Sequence, residues 1–207
     1  MKRKLLENPT IDRPSLESAY NFAKSKHDAT GITRRATGEP YFVHPEMVAD
    51  LVAVYGGSDD QITAALLHDT VEDTDTTFEE LEALYGVNVA EMVSELTNYR
   101  PEIEKVGKEA YINQELCELS NDALLVKCAD CVINYLDHPT VAQKDRLVRN
   151  LTYMLEHREA EIPRNVKQLL KSVPELDEFS YMLATNEGIG LELDVPADPE
   201  LSWYSTN

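Results

Sequence analysis

The chain has 207 residues, of which 43% are hydrophobic, and its formal net charge is −19 at pH 7. This length suits one large domain or a domain with an appendage, and the negative charge argues against a broad nucleic-acid surface, which needs a stripe of Lys and Arg. No apolar run approaches the roughly 20 residues of a membrane-spanning helix, and the N-terminus does not resemble a signal peptide, so we expect a cytoplasmic protein without a membrane partner.

Helical spacing of apolar residues runs through most of the chain, and no segment alternates convincingly with period two. The first helix is predicted over residues 14–29, with Leu16, Ala19, Tyr20 and Ala23 on one face. A glycine-bearing loop is predicted to follow.

Pro45 is expected to open the second helix, because a helix tolerates proline in its first turn. The next helix is predicted to continue without a break over residues 59–73. Six further helical segments follow, at residues 76–86, 87–99, 108–119, 121–136, 141–160 and 163–173. The pattern predicts an all-α bundle of about eight to ten helices.

The charge distribution divides the chain into a body over residues 1–172 and an acidic C-terminal extension over residues 173–207. From Ser172 to Asn207 there are eight acidic residues and no Lys or Arg. Such a segment either packs along the basic helices of residues 144–171, stays solvated, or contacts a protein partner.

The stretch "ALLHDTVEDT" (65–74) ends an apolar run with a histidine and three acids. In a continuous helix His68 would share a face with Glu72, and Asp69 with Asp73. Acids that converge beside a core repel each other unless a cation lies among them, and a divalent metal meets that need.

Further ligands have to come from elsewhere in the chain. His44 stands at the mouth of a helix, and Asp130 lies in the apolar stretch "LLVKCADCVIN". Taken singly, each is more often a hydrogen-bonded polar residue of the core. Together with His68 and Asp69, they form a mixed nitrogen and oxygen set that suits one Mn²⁺-like ion per chain.

Three cysteines and no secretion signal indicate reduced thiols. Cys128 and Cys131 form a single "CADC" pair, which without a second pair is a weak zinc signal. We interpret them as two small apolar side chains on a helix.

Three blocks resemble the hydrolase domain of RelA/SpoT-type alarmone enzymes, a branch of the HD superfamily. They are "RATGEPYFVHP" (35–45), "AALLHDTVEDT" (64–74) and "KCADCVIN" (127–134), and the likeness runs from about residue 14 to about residue 172. The chain is most similar in size to the small stand-alone alarmone hydrolases, a group that includes a metazoan SpoT-like relative.

The resemblance implies an HD-domain helical bundle and a set of site residues. It assigns the metal to His44, His68, Asp69 and Asp130, and catalysis to Glu72 and Asp73. It assigns substrate contacts to Arg35, Asn134, Arg149 and Tyr153. The third block departs from the family pattern at Cys131 and Ile133, and these departures bear on the identity of the nucleotide.

The implied reaction is Mn²⁺-dependent removal of the 3′-pyrophosphate of ppGpp or pppGpp, giving GDP or GTP and pyrophosphate. An adenosine alarmone or the 2′-phosphate of NADPH is an alternative substrate for the same site. The alternative from another class is an interaction protein that neutralises a toxic alarmone synthetase. A homo-oligomer is compatible with all of these functions.

Overall fold

The computed structural model describes residues 13–173 apart from Ala36 and His138, and in addition Leu176. These residues form eleven helical segments and no strand, only an isolated bridge between Thr33 and Pro40. The segments are α1 (Arg13–Thr30), α2 (Val43–Val54), α3 (Asp59–Leu67), α4 (Thr70–Asp73), α5 (Phe78–Tyr85), α6 (Val87–Leu96), α7 (Arg100–Val106), α8 (Lys108–Glu118), α9 (Asn121–Leu136), α10 (Val141–His157) and α11 (Arg164–Leu170).

The all-α prediction is confirmed. Of the eleven described segments, α4 is a single turn of four residues, and each of the others has at least seven. The predicted number of about eight to ten helices therefore agrees with the structure once α4 is regarded as a turn.

Helix α9 is the centre of the bundle and packs against α2, α3, α6, α10 and α11. Ser120 begins it by accepting a hydrogen bond from the backbone N–H of Ala123 at 3.2 Å, which satisfies one of the free donors of the first turn. Eleven of its sixteen residues are buried. A buried central helix holds any polar side chain that it carries in a defined position.

The turn between α2 and α3 approaches α9 closely. A Cβ atom at Gly57 would lie 2.4 Å from Val52 Cγ1 and 3.0 Å from the Val52 carbonyl oxygen, so a larger residue would clash with the end of α2, whereas Leu125 Cδ2 on α9 would lie at a contact distance of 3.4 Å. Both α2 and α3 pack against α9, and the beginning of α2 and the end of α3 lie near the middle of α9.

The predicted helix over residues 59–73 is wrong in one respect that matters for the site. Helix α3 ends at Leu67, and α4 begins at Thr70, so His68 and Asp69 lie in a turn. The Thr70 hydroxyl donates to the Leu67 carbonyl at 2.7 Å, a local hydrogen bond that competes with the helical pattern.

The predicted start of the second helix also shifts. Helix α2 begins at Val43, and Pro45 is its third residue. The shift costs nothing in hydrogen bonding, because the first N–H groups of a helix have no partner within it. It places His44 inside the first turn of α2.

The remaining expectations concern the core and the tail. The predicted face of α1 is buried, as are Cys128 and Cys131, which are free thiols on α9.

Val173 and Leu176 are also fully buried, so packing continues past the predicted boundary after residue 172. The rest of the acidic extension lies outside the described residues.

None of the described helices is both long enough and apolar enough to cross a membrane.

Candidate metal centre and substrate cavity

The four predicted metal ligands come together from three separate elements. His44 lies in the first turn of α2, His68 and Asp69 in the turn between α3 and α4, and Asp130 in the middle of α9. The ligand atoms of His44, His68 and Asp130 all lie within 4.8 Å of one another. Asp69 Oδ2 is 3.2 Å from His68 Nε2 and 3.8 Å from His44 Nε2. These atoms are close enough to share one ion.

The hydrogen bonds of His68 determine which of its nitrogens faces this cluster. Nδ1 lies 2.8 Å from the carbonyl oxygen of Ala65, and since a carbonyl only accepts, Nδ1 carries the proton of the neutral ring. Nε2 then presents a lone pair, is buried, and has no hydrogen-bond partner among the described residues. At 3.2 Å from the Asp69 carboxylate, this lone pair needs a positive charge between the two acceptors, either a proton that makes the ring cationic or a metal ion. The donor set therefore fits a divalent metal.

In the protein alone, the charges of the cluster favour a protonated His68, whose Nε2 proton a metal ion would replace. Burial lowers the pKa of His68, but the carboxylates of Asp69 and Asp130 outweigh burial and raise it to about 9. Burial raises the pKa of Asp69, but His68, His44 and Tyr41 outweigh it and hold that pKa well below its ordinary value. For Asp130 too, His44 and His68 outweigh burial and lower the pKa. The two carboxylates remain anionic and attract positive charge.

Each of the two carboxylates is oriented by a neutral donor. The Tyr41 hydroxyl donates to Asp69 Oδ2 at 2.6 Å, and the Asn134 amide donates to Asp130 Oδ1. Such partners hold a ligand oxygen in place before a metal binds.

Glu72 and Asp73 lie on α4, beside this cluster. Glu72 Oε1 accepts hydrogen bonds from the backbone N–H of Asn98 at 2.7 Å and from its side-chain amide at 2.8 Å. Burial, followed by the charges of Asp69 and Glu72, raises the pKa of Asp73. Glu72 therefore does not share a helical face with His68 as expected, but is held by Asn98. Both hydrogen bonds from Asn98 go to Oε1, so Oε2 of Glu72 takes no part in them.

A cavity of about 810 Å³ opens over the cluster, within the size range of small-ligand sites. Its wall contains five cationic residues among those described: Arg34, Arg35, Lys108, Lys127 and Arg146. Arg34 pairs with Asp137, and Lys127 with Glu115. The other three form no ion pair with another described residue, so they are available to an anion.

Comparison with known proteins places this site in a family. An HD-domain model matches residues 19–118. The guanosine-3′,5′-bis(diphosphate) 3′-pyrophosphohydrolase of Aquifex aeolicus is 43% identical over 112 residues, which make up 54% of this chain and only 15% of that protein. The protein of the same name from Danio rerio, MESH1, is 42% identical over 124 residues, which make up 59% of this chain and 68% of MESH1. The chain belongs to the HD-domain family.

A solved structure supports the assignment of the HD domain. A metazoan ortholog of SpoT, described as hydrolysing ppGpp, aligns with a TM-score of 0.65 and 25% sequence identity over 80% of this chain and 95% of that one. The resemblance to RelA/SpoT-type hydrolase domains is thereby confirmed.

The cavity wall contains two of the four predicted substrate residues, Arg35 and Asn134. The other two, Arg149 and Tyr153, are not among the lining residues. Arg149 Nε is 2.9 Å from Glu109 Oε1, and the Tyr153 ring stacks on His157 at 4.0 Å between centroids. These contacts direct both side chains to an exposed face of α10.

A different pair on α10 lines the cavity, namely Arg146 and Asn150. This pair has the same spacing of four residues and begins three positions earlier, a difference of about 60° around the helix axis. Spacing alone cannot decide between the two pairs, because only the packing of α10 determines which face meets the cavity.

Several residues that the fold brings to the site were not predicted from the sequence. Tyr41 and Asn98 bind the predicted acids, and Lys108, Lys127 and Arg146 supply charge. Of these residues, only Lys127 could have been suspected from the sequence, because a lysine inside the apolar run of α9 needs a buried partner of opposite charge.

Proposed function

We propose that the protein is a divalent-metal-dependent pyrophosphohydrolase that removes the 3′-pyrophosphate of ppGpp or pppGpp, giving GDP or GTP and pyrophosphate. The observation that carries the proposal is the His and Asp cluster beside a cavity whose wall has three cations without an ion pair to any described residue. The names of the Aquifex aeolicus and Danio rerio relatives support the reaction and the nucleotide substrate.

The metal is proposed to be one Mn²⁺ ion per chain, held by His44, His68, Asp69 and Asp130. Two imidazoles and two carboxylates suit Mn²⁺ and leave coordination positions for water and a phosphoryl oxygen. Such an ion would supply Lewis acidity and a water of lowered pKa.

Glu72 and Asp73 are proposed to carry out the proton transfers of hydrolysis. A water oxygen forms a bond to the phosphorus of the 3′-pyrophosphate group, and the bond from that phosphorus to the 3′ oxygen breaks. One carboxylate takes the proton of the water, and the departing 3′ oxygen needs a proton in return. Asn98 holds Glu72 in position for this exchange.

Arg35 and Asn134 are proposed to contact the substrate beside the metal, and Lys108, Arg146 and Asn150 to contact it farther along the cavity. A ribonucleotide with phosphates at both its 3′ and 5′ positions needs cations at two places, and the cavity wall supplies them. The predicted clamp of Arg149 and Tyr153 remains the competing proposal.

Replacing Arg146 by Ala is expected to raise the KM for the nucleotide about 10- to 100-fold, the scale of a lost hydrogen bond between charged groups. Arg149→Ala is the matched comparison on the same helix, and there we expect KM to change less than about twofold, because its pair with Glu109 is exposed. Steady-state kinetics with both variants decide between the two clamps. A raised KM in Arg149→Ala alone would favour the sequence-based clamp.

The proposed reaction is tested by a substrate panel of ppGpp, pppGpp, ppApp and NADPH with Mn²⁺, with and without a chelator. We expect pyrophosphate release from the guanosine alarmones and its loss on chelation. Turnover of ppApp or NADPH in their place would move the proposal to the alternative substrates. No turnover of any of them would favour an interaction protein. The cytoplasmic location, the oligomeric state and a partner of the acidic extension remain predictions.

A further inference from the structure

A buried ion pair lies in the wall between the substrate cavity and the outside of α8. Lys127 is on α9, three residues before Asp130, and is only 6% exposed. Its ammonium nitrogen is 3.0 Å from each carboxylate oxygen of Glu115, on α8. The Glu115 side chain is 7% exposed, so neither charge is solvated in the ordinary way.

Stability alone does not account for this pair. Removing two charges from water costs about as much as their attraction returns, and apolar residues of similar volume often leave stability unchanged or improve it. The positions of the two residues relative to the cavity suggest a role for their charges. Lys127 lines the cavity that contains the metal cluster, whereas Glu115 does not.

The acidic side chains of that cavity are concentrated at and beside the metal cluster, although its described wall has as many cationic residues as carboxylates. Five carboxylates line it among the described residues, namely Asp69, Glu72, Asp73, Asp130 and Asp137. Arg34 pairs with Asp137, which leaves four to repel a substrate that is itself anionic. Part of this charge belongs to the proposed metal ligands, and the catalytic acids add the rest.

The ion pair responds to this negative field in opposite ways at its two ends. Burial lowers the pKa of Lys127, but Glu115 and Asp130 outweigh burial and raise it, so Lys127 stays charged. The pKa of Glu115 is also raised, because burial and the charges of Asp130 and Glu72 outweigh the attraction of Lys127. Negative surroundings explain why both pKa values are raised, because they favour the charged form of Lys127 and disfavour the charged form of Glu115.

We propose that Lys127, held by Glu115, is a positioning residue that offsets the acid charge around Asp130 and Glu72 and thereby allows the metal-loaded cavity to accept a phosphoanion. Its ammonium acts across the cavity wall, and Glu115 prevents it from turning onto Asp130, where it would compete with a metal. This role rests on the proposed function for its substrate class, a phosphorylated nucleotide.

The test compares two neutral replacements with a charged one in the full-length, Mn²⁺-loaded protein. The neutral pairs are Lys127→Gln with Glu115→Gln, and Lys127→Met with Glu115→Leu. The charged pair is Lys127→Arg with Glu115→Asp, which keeps both charges while it lengthens the cationic side chain and shortens the acidic one. The probe is inorganic pyrophosphate, and its affinity is measured by calorimetry beside the melting temperature and the bound Mn²⁺.

We expect both neutral pairs to keep their melting temperature and Mn²⁺ while binding pyrophosphate at least about 10-fold more weakly. The charged pair should bind it within about threefold of the wild type, because both charges remain in place. Lys24→Gln with Asp28→Asn removes the same charges from an exposed pair on α1 and should change nothing.

Wild-type affinity for pyrophosphate in either folded neutral pair would overturn the inference, as would a wild-type protein that does not bind pyrophosphate at all. Weak binding by a folded charged pair would overturn it too, because packing and not charge would then matter. A wild-type protein that binds pyrophosphate but hydrolyses no nucleotide of the panel would overturn the proposed function and leave this inference in place.

Discussion

Replacing Glu72 by Gln is expected to lower kcat about 100- to 10,000-fold while the protein keeps its Mn²⁺. Glutamine has the same shape, and its carbonyl oxygen can still accept the two hydrogen bonds from Asn98. It cannot take up or release the proton that hydrolysis moves. Pyrophosphate release measures kcat, and elemental analysis of the purified protein measures the metal.

Glu82→Gln is a suitable control for this variant, because Glu82 is an exposed acid on the neighbouring α5. Its kcat should equal that of the wild type. Loss of Mn²⁺ together with activity in Glu72→Gln would identify Glu72 as a ligand. An unchanged kcat would leave the proton transfers to Asp73.

Replacing Asp130 by Ala is expected to abolish stoichiometric Mn²⁺ binding. The change removes one of two carboxylates from the cluster, together with the oxygen that lies 3.0 Å from His44 Nε2. In the wild type, an excess of Mn²⁺ at 100 times its Kd should raise stability by about 2.7 kcal/mol, and this gain should vanish in the variant. Melting curves with and without Mn²⁺ measure it.

Tyr41→Phe provides a graded comparison for the metal site. It keeps every proposed ligand and removes the hydroxyl that donates to Asp69, so we expect Mn²⁺ to bind about 10- to 100-fold more weakly. Full Mn²⁺ occupancy in Asp130→Ala would refute the proposed ligand set. An unchanged affinity in Tyr41→Phe would show that Asp69 needs no hydrogen bond to be oriented.

The helical class of the protein was predictable from local information. Apolar residues recur with helical spacing, and a residue such as Ser120 marks a helix start because its side chain replaces a missing backbone partner. The break between α3 and α4 was less predictable. The positions of His68 and Asp69 in the sequence fit a helix and a turn equally well. In the structure the turn is accompanied by a hydrogen bond from the Thr70 hydroxyl to the Leu67 carbonyl oxygen.

The chemistry of the site was also visible in the sequence, but only as residue types. Three acids and a histidine within six residues, at the end of an apolar run, require a cation whatever the fold, because unpaired charge beside a core is costly. His44 and Asp130 gained their meaning from their coincidence with this stretch and then from the resemblance, since each taken singly is more often a hydrogen-bonded polar residue of the core.

Only the tertiary structure decided which partners these residues have. Asn98 meets Glu72 across 26 positions of sequence, Tyr41 meets Asp69 across 28, and Arg34 meets Asp137 across 103. Such contacts depend on how helices pack, and packing leaves no periodic mark in the chain. The same holds for α10, where a rotation of about 60° exchanges Arg149 for Arg146 at the cavity. The sequence thus determined the helices and the kind of chemistry, while the packing of α2, α9 and α10 decided which side chains face one another.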